Sequence, residues 1–229
     1  GGSKGIGKAI VNKFLKTRCK VYFTYKNSKI KKLNDLNNKN LVGIKCDMNN
    51  LGDITKVKKI LQKEGKIDVL INNVGDVIKR TSFANSNDKL WQKVININLM
   101  SAVRTTKILL KLLNKSNSGV IVNISSIASR TGGGGDSLHY SVAKSAMNTF
   151  TQGLAKELKK IRVIGVAPSA VDTDFQKKYS TKKRLKKIIN YTPLGRIGTP
   201  EEISEFVFFV ASSKASFLSG ETIFVTGGR

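Results

Sequence analysis

The sequence has little cysteine, histidine and acid, and no long apolar run. Its two cysteines, Cys19 and Cys46, do not form a CxxC pair, and 229 residues contain one histidine. Neither a disulfide framework nor a cysteine/histidine metal site is supported, and we predict no metal. No stretch approaches the ~18 apolar residues that a membrane span needs. We expect no membrane association and a cytoplasmic location, or an organelle if an N-terminal presequence is missing.

The shortage of acids leaves a large positive charge. Forty-one lysines and arginines outnumber fifteen aspartates and glutamates, giving a net charge of +26. Such an excess raises the question of nucleic acid or an acidic partner. However, 33 of the bases are lysines spread along most of the chain, and no zinc finger or RNA-binding aromatic signature accompanies them. We interpret the charge as mainly compositional and predict no nucleic-acid partner.

Short β-branched runs alternate with amphipathic segments of helix length along the whole chain. The runs are apolar on both faces, as is typical of strands buried in a parallel sheet. We predict an α/β fold, a Rossmann-type doubly wound parallel sheet in three layers, forming a single domain over residues 1–229. The predicted strands are Val21–Tyr25, Leu41–Cys46, Ile67–Ile71, Val120–Ile124, Ile161–Ala167 and Thr222–Val225.

A glycine-rich segment, GGSKGIG, occupies residues 1–7. Glycines that open a helix let the backbone approach a pyrophosphate, although this spacing differs from GxGxxG. Because such a turn follows the first strand of a dinucleotide-binding sheet, we expect that strand to be missing and the chain to be a fragment of a slightly longer protein. The segment also matches GxSxG with Ser3 as a nucleophile. A hydrolase is disfavoured because His139 is the only candidate base and has no evident acid partner.

Tyr140 and Lys144 form the most informative pair. Four residues apart on a predicted helix, they project from one face. A free phenol has a pKa near ~10, and a nearby ammonium stabilises its phenolate. Alone, YxxxK is a common pattern, so its meaning depends on the motifs around it.

With those motifs, the chain resembles the short-chain dehydrogenase/reductase family, and within it the 3-oxoacyl-[acyl-carrier-protein] reductases. The matching segments follow the family's order along nearly the whole chain. They are GGSKGIG at 1–7, CD at 46–47, NNVG at 72–75, NINL at 96–99, VNISS at 122–126, YSVAK at 140–144, APSAVDTDF at 167–175, PLGRIGTPEEI at 193–203 and TGG at 226–228.

The resemblance implies four catalytic residues. Tyr140 would protonate the carbonyl oxygen, and Ser126 would hydrogen-bond that oxygen. Lys144 would lower the pKa of the tyrosine and hold the nicotinamide ribose, while Asn98 would hold a water that relays protons. The implied cofactor-binding residues are Gly1, Ser3, Lys4, Gly5, Ile6, Gly7, Lys26, Asp47, Met48, Asn73, Gly75, Tyr140, Lys144, Pro168 and Thr173.

The choice of cofactor depends on charge. An NAD site places a carboxylate about 20 residues beyond the glycines, where it also repels a 2′-phosphate. Here the first predicted strand is followed by Lys26, Asn27 and Ser28, with no acid, and Lys4 adds a cation within the glycine turn. We therefore predict NADPH/NADP.

The sequence departs from the family pattern on the substrate side. The glycine run at 132–135 lengthens the link from Ser126 to Tyr140 by one residue compared with typical fatty-acid reductases, and Ser169 replaces the usual glycine. We predict that the protein reduces a 3-oxoacyl group on acyl carrier protein in fatty acid synthesis. The first alternative is an NADP-dependent dehydrogenase of a sugar or another small secondary alcohol. The second alternative is an inactive fragment or a basic binding protein on a reductase scaffold. The four intact catalytic residues disfavour this last alternative.

Two further expectations concern partners. The segment at 176–190, which in this family closes over substrate, carries seven lysines and arginines. A basic lid would attract an acidic carrier, and a merely solvated helix is the competing interpretation. The resemblance also implies a homotetramer assembled through the segments 89–113 and 140–158 and the last strand.

Overall fold

The computed structural model describes residues 1–28 and 39–229, in which parallel strands alternate with helices. The strands are β1 (Val21–Tyr25), β2 (Leu41–Lys45), β3 (Val69–Asn72), β4 (Val120–Ile124), β5 (Arg162–Pro168) and β6 (Thr222–Val225). The helices are α1 (Gly5–Lys16), α2 (Leu51–Leu61), α3 (Asp88–Ile95), α4 (Ser101–Leu113), α5 (Ala128–Thr131), α6 (Leu138–Glu157), α7 (Asp174–Tyr179), α8 (Lys182–Asn190) and α9 (Pro200–Ala211). Each predicted strand is present within one or two residues of its expected bounds.

The strands form two hydrogen-bonded groups. β1 pairs with β2, and β3, β4, β5 and β6 pair in that order, all in parallel. Between the groups, in the described part of the chain, β1 and β3 do not pair, and a cavity of about 460 Å³ lies beside residues of both strands.

Helices cover both faces of the sheet, which confirms the three-layer prediction. In β4, alternate side chains enter different cores, because successive residues of a strand point to opposite faces. Val122 packs with α1 and α9, whereas Ile121 packs with α2 and α4. The cores therefore hold the central strands from both sides and fix the positions of their carboxyl ends. Within the described residues, no helix is long and apolar enough to cross a membrane.

The predicted segment 89–113 is not one uniform helix. A π-helical stretch, Asn96–Met100, separates α3 from α4. Such single-turn insertions re-aim side chains and occur often at functional sites. Here the insertion contains Asn98, one of the predicted catalytic residues.

Candidate active site

A cavity of about 590 Å³ opens where β3, β4 and β5 end. In doubly wound folds, ligands bind beyond the carboxyl ends of the strands, where the intervening loops diverge. The cavity gathers residues from distant parts of the sequence. Of the predicted site residues, it is lined by Gly1, Ser3, Lys4, Gly5, Ile6, Gly7, Asn73, Gly75, Ser126, Tyr140, Lys144, Pro168 and Thr173.

Ser126 and Tyr140 meet at the centre of this cavity. Ser126 lies two residues beyond the end of β4, and Tyr140 lies in the first turn of α6. The Ser126 side chain is close enough to the Tyr140 hydroxyl to lower the pKa of that phenol. Ser126 Oγ also accepts a hydrogen bond from Ala128 N at 3.2 Å, which orients it on the backbone. The two hydroxyls are thus placed to contact one oxygen atom of a ligand.

Lys144 lies one helical turn beyond Tyr140 and is 2% exposed. Its Nζ donates a hydrogen bond to the carbonyl oxygen of Ile124 at 2.8 Å and lies 5.7 Å from the centre of the Tyr140 ring. Burial lowers the pKa of this ammonium to about 8. A lysine with a pKa near neutrality, facing a cavity, is typical of functional sites.

The pKa of Tyr140 shifts in the direction opposite to the expectation. Burial raises it to about 12, and the nearby Ser126 side chain opposes that shift only in part. Burial outweighs neighbouring charges because the phenolate loses its hydration. In the ligand-free chain the phenol therefore carries its proton throughout the physiological range, which suits a proton donor.

Asn98 is fully buried, and its amide ties the loop after β3 to the π-helical stretch. Its Nδ2 donates to Asp76 O at 2.7 Å and Val94 O at 2.9 Å, and its Oδ1 accepts from Asp76 N at 3.1 Å. Gly75 lies beside it: a Cβ at Gly75 would lie 2.6 Å from Asn98 Oδ1 and 3.1 Å from Lys144 Nζ. Only glycine lets this loop pass between those two polar side chains.

The glycine turn fits the pyrophosphate of a dinucleotide. A Cβ at Gly7 would lie 1.9 Å from Gly1 O, so the turn depends on a bare backbone there. Lys4, at the N-cap of α1, offers no side-chain hydrogen bond to the first-turn amides, and that turn contains no acid. An uncapped helix N-terminus at a cavity presents N–H donors and a positive dipole to an anion. Thr173 packs against the turn, with its Cγ2 3.1 Å from the Cβ position of Gly5.

The predicted adenosine residues are arranged differently from the catalytic ones. Asn73 Nδ2 donates to Gly1 O at 2.8 Å, which connects the loop after β3 to the glycine turn. Lys26 and Asp47 form an ion pair at 2.6 Å and do not line the main cavity. Met48 lines the smaller cavity instead. The Lys26–Asp47 pair neutralises part of the charge on which the NADP prediction depends.

Two acids were missed by the sequence analysis, one that lines the cavity and one that pairs with residues lining it. Asp76, directly after the NNVG motif, accepts hydrogen bonds from Tyr179 Oη and Lys178 Nζ of α7. Asp136, directly after the glycine run, pairs with Arg80 and Arg184. In a chain with only fifteen acids, an acid beside each of two glycine motifs was a signal that could have found them.

Comparison with known proteins agrees with this architecture. A family model described as enoyl-(acyl carrier protein) reductase, of the short-chain type, matches residues 1–229. The chain is 34% identical over 232 residues to 3-oxoacyl-[acyl-carrier-protein] reductase of Buchnera aphidicola from Acyrthosiphon pisum, covering all of this chain and 94% of that protein. The chain belongs to the short-chain dehydrogenase/reductase family.

The chain is also similar to a second 3-oxoacyl reductase and to two dehydrogenases of known structure. The 3-oxoacyl-[acyl-carrier-protein] reductase of Salmonella typhimurium is 32% identical, covering all of this chain and 94% of that protein. Thermoplasma acidophilum aldohexose dehydrogenase superposes with a TM-score of 0.86 at 29% identity, covering 100% and 91% of the two chains. A glucose/ribitol dehydrogenase from Brucella melitensis gives 0.88 at 31%, covering 100% and 93%.

The family fixes the class of chemistry. This short-chain dehydrogenase/reductase is an oxidoreductase that acts on CH–OH or C=O groups, and its family uses nicotinamide cofactors. The glycine turn and the uncapped α1 fit such a cofactor on the geometry described above.

Proposed function

We propose that this protein is an NADPH-dependent 3-oxoacyl-[acyl-carrier-protein] reductase of fatty acid synthesis. The observation that carries the proposal is the neighbouring pair Ser126–Tyr140 beside the buried Lys144, in a cavity that the glycine turn also borders. The names of the Buchnera and Salmonella relatives support the carrier-bound substrate. We take residues 1–229 as a single domain.

Each catalytic residue has a distinct role in this proposal. A bound nicotinamide supplies the hydride to the carbonyl carbon. Tyr140 donates its proton to the carbonyl oxygen, which its raised pKa permits because the phenol stays protonated. Ser126 donates a hydrogen bond to the same oxygen as charge develops on it. Lys144 binds the nicotinamide ribose, and Asn98 holds the loop that carries Gly75 in place.

The preference for NADPH rests on two cations at the adenosine end. Lys4 is exposed at the glycine turn, and Lys26 is exposed at the end of β1. A 2′-phosphate would compete with Asp47 for the Lys26 ammonium. The competition favours NADPH because a dianionic phosphate attracts an ammonium more strongly than a single carboxylate does.

The segment of α7 and α8 closes the substrate side. Both helices border the cavity, through Phe175, Tyr179, Arg184 and Ile188. The Tyr140 ring packs on Phe175 at 6.3 Å between ring centres, and Phe175 packs on Tyr179 at 5.0 Å. This aromatic row connects the catalytic tyrosine to the segment that would meet the acyl chain.

A sugar or small-alcohol dehydrogenase is the second candidate. It is favoured by the likeness to the aldohexose and glucose/ribitol dehydrogenases and by the glycine run at 132–135, two members of which, Gly133 and Gly134, line the cavity without a side chain. The homotetramer also stays a proposal. The apolar side chains of Leu138 and Val142 on α6 are exposed, as a helix that packs on another subunit requires.

Tyr140→Phe tests the catalytic assignment, because it keeps the ring packing and removes the hydroxyl. We expect turnover of a 3-oxoacyl thioester, followed by NADPH oxidation, to fall by roughly 100- to 10,000-fold, while NADPH binding, followed by its fluorescence, is retained. The matched control is Tyr191→Phe, an exposed tyrosine outside the cavity. Turnover of Tyr140→Phe equal to that of the control would falsify the role of Tyr140.

A substrate panel tests the substrate class with the unaltered protein. Carrier-bound and small 3-oxoacyl thioesters are compared with aldohexoses and polyols, each with NADPH and NADH. We expect the 3-oxoacyl compounds with NADPH to give the highest kcat/KM. Faster oxidation of a sugar would replace the first candidate by the second and leave the Tyr140 assignment intact.

A further inference from the structure

A charged cluster, Arg80–Asp136–Arg184, lies at the substrate side of the cavity. Arg80 Nη1 lies 2.8 Å from Asp136 Oδ1, and Arg184 Nη1 lies 2.8 Å from Asp136 Oδ2. All three side chains are partly buried, with 21%, 35% and 29% of their surfaces exposed for Arg80, Asp136 and Arg184. Two guanidinium groups therefore share one carboxylate, and the cluster keeps an unbalanced positive charge away from bulk water.

The two arginines differ in how many of their donors are used. Arg80 Nε donates to Tyr179 O at 2.6 Å, and its Nη1 also reaches Ser137 Oγ at 3.4 Å. In the described part of the chain, the Arg184 guanidinium donates only through Nη1, to Asp136. Its other donors are available to a ligand, and a guanidinium with two free N–H groups binds a carboxylate or phosphate bidentately.

The excess charge shifts the pKa values of the arginines around it. Burial lowers the pKa of Arg80, and the adjacent Arg184 adds to that shift. Burial and Arg184 likewise lower the pKa of Arg229, which also borders the cavity. Guanidinium groups that lie close together in a partly buried place repel one another, which destabilises the folded state. An anion bound between them would relieve this repulsion.

The cluster belongs to the same cavity as the reacting groups. Arg80, Arg184, Ser126 and Tyr140 all line it, and the charge of Arg80 acts on the Tyr140 phenol. The glycines at 132–135 all have positive φ, between 74° and 86°. A Cβ at Gly134 would lie 3.4 Å from Arg184 Nη2, so the bare backbone leaves this guanidinium accessible beside the loop.

We propose that the Arg80–Asp136–Arg184 cluster recognises an anionic group, a phosphate or a carboxylate, on the part of the substrate distant from the reacting carbonyl. The inference rests on the proposed carbonyl reduction at Tyr140 and is independent of the carrier. Such a group has two sources, the phosphodiester of a pantetheine arm and an acid group within a small substrate. Asp136 holds the two arginines in place and competes with the anion for Arg184.

The test compares matched neutral and anionic substrates. One pair is a 3-oxoacyl thioester of pantetheine and of 4′-phosphopantetheine; the other is the diester and the monoester of a 3-oxo dicarboxylic acid. We expect the anionic member of one pair to have a KM roughly 10- to 100-fold below that of its neutral partner, the range for charge-assisted hydrogen bonds. The pair that shows the preference identifies the source of the anion.

Variants then connect the preference to the cluster. Arg184→Gln should remove the preference for the anionic substrate by raising KM for that substrate only. Arg184→Lys should restore part of this preference. Asp136→Asn should strengthen the preference, because the carboxylate no longer competes with the anion for Arg184. Arg196→Gln is the control, because Arg196 pairs with Glu202 outside the cavity. Equal KM values within both pairs, or an unchanged preference in Arg184→Gln, would overturn the inference. Failure of the reductase proposal is distinguishable, because the neutral substrates would then not be reduced at all.

Discussion

The two ends of the active-site cavity are built in different ways. At the catalytic end, Lys144 and Asn98 are 2% and 0% exposed, and their partners are backbone carbonyl and amide groups next to β3 and β4. At the substrate end, the Arg80–Asp136–Arg184 cluster joins two loops and the helix α8 through side-chain ion pairs that remain partly exposed.

This difference separates chemistry from selectivity. Groups held by the central strands and the 20-residue α6 keep a fixed geometry, because moving them would disrupt both cores. Groups on α7 and α8, which bury few residues, can change with little cost to the fold. Substitutions at the catalytic end should therefore affect turnover of every substrate, and substitutions at the substrate end should affect the choice among substrates.

Lys144→Met gives the largest expected effect. It removes a buried charge and keeps most of the side-chain volume, and turnover should fall by more than roughly 100-fold for every substrate because Lys144 contacts the cofactor in our proposal. The kinetic measurement is NADPH oxidation with both a carrier-bound and a small 3-oxoacyl substrate. Loss with only one of them would place Lys144 in the selective part of the site.

The same variant should have a distinctive pH dependence of stability. The folded-state pKa of Lys144, about 8, lies below the ordinary 10.5. Below pH 8, the buried Lys144 ammonium lowers the unfolding free energy of the wild type by its full amount. Between pH 8 and 10.5, the folded protein has released a proton that the unfolded chain keeps. The unfolding free energy of the wild type therefore rises with pH in this range. The unfolding free energy of the wild type should thus rise by up to about 3 kcal/mol relative to that of Lys144→Met over this range, at ~1.4 kcal/mol per pH unit.

Urea unfolding at pH 7, 9 and 10.5 measures this gain. Lys156→Met, an exposed lysine in the last turn of α6, is the matched control and should show no such trend. A difference between wild type and Lys144→Met that stays constant with pH would show that the ammonium is solvated in solution.

Lys26→Ala is expected to have an intermediate effect, confined to the cofactor. Removing this cation should lower kcat/KM for NADPH by roughly 10-fold, the value of one charge-assisted contact, and leave kcat/KM for NADH nearly unchanged. The control is Lys66→Ala, an exposed lysine that pairs with Asp68 away from the main cavity. Equal losses with both cofactors would mean that the Lys26–Asp47 ion pair supports the fold of this region and does not select the 2′-phosphate.

The strands that hold the catalytic end could be predicted because their signals are local, whereas the roles of its residues came from the resemblance to the family and stay predictions. Apolar runs of strand length are visible in the sequence, and β1, β4 and β6 match the bounds predicted from them. The four-residue spacing of Tyr140 and Lys144 likewise predicted that both lie on one face of a helix. The π-helical stretch around Asn98 was not predicted, because an insertion of one residue into a helix leaves the hydrophobic pattern nearly unchanged. The pKa shift of Tyr140 was predicted in the wrong direction, because the sequence shows the neighbouring lysine but not the depth of burial.

The substrate end was not predictable for a different reason. Arg80 and Asp136 are 56 residues apart and Arg184 is 48 residues beyond Asp136. Pairing over such separations depends on how loops after different strands meet, which no periodic pattern records. In a chain with 41 basic residues, the two arginines also could not be distinguished from the compositional background.

The smallest expected effect comes from the lysines of α8. Testing them separates two kinds of basic residue at the substrate end, those outside the cavity and Arg184, which lines it. Lys182, Lys183, Lys186 and Lys187 do not line the cavity, unlike Arg184 on the same helix. If they attract an acidic carrier, replacing all four with glutamine should lower kcat/KM for the carrier-bound substrate several-fold, and added salt should erase the difference because exposed charges are screened over ~8 Å at physiological ionic strength. A small uncharged 3-oxo ester should be insensitive to both changes. If the carrier-bound and small substrates respond alike, the lysines reflect composition, and selectivity at this end depends on Arg184 and its partners alone.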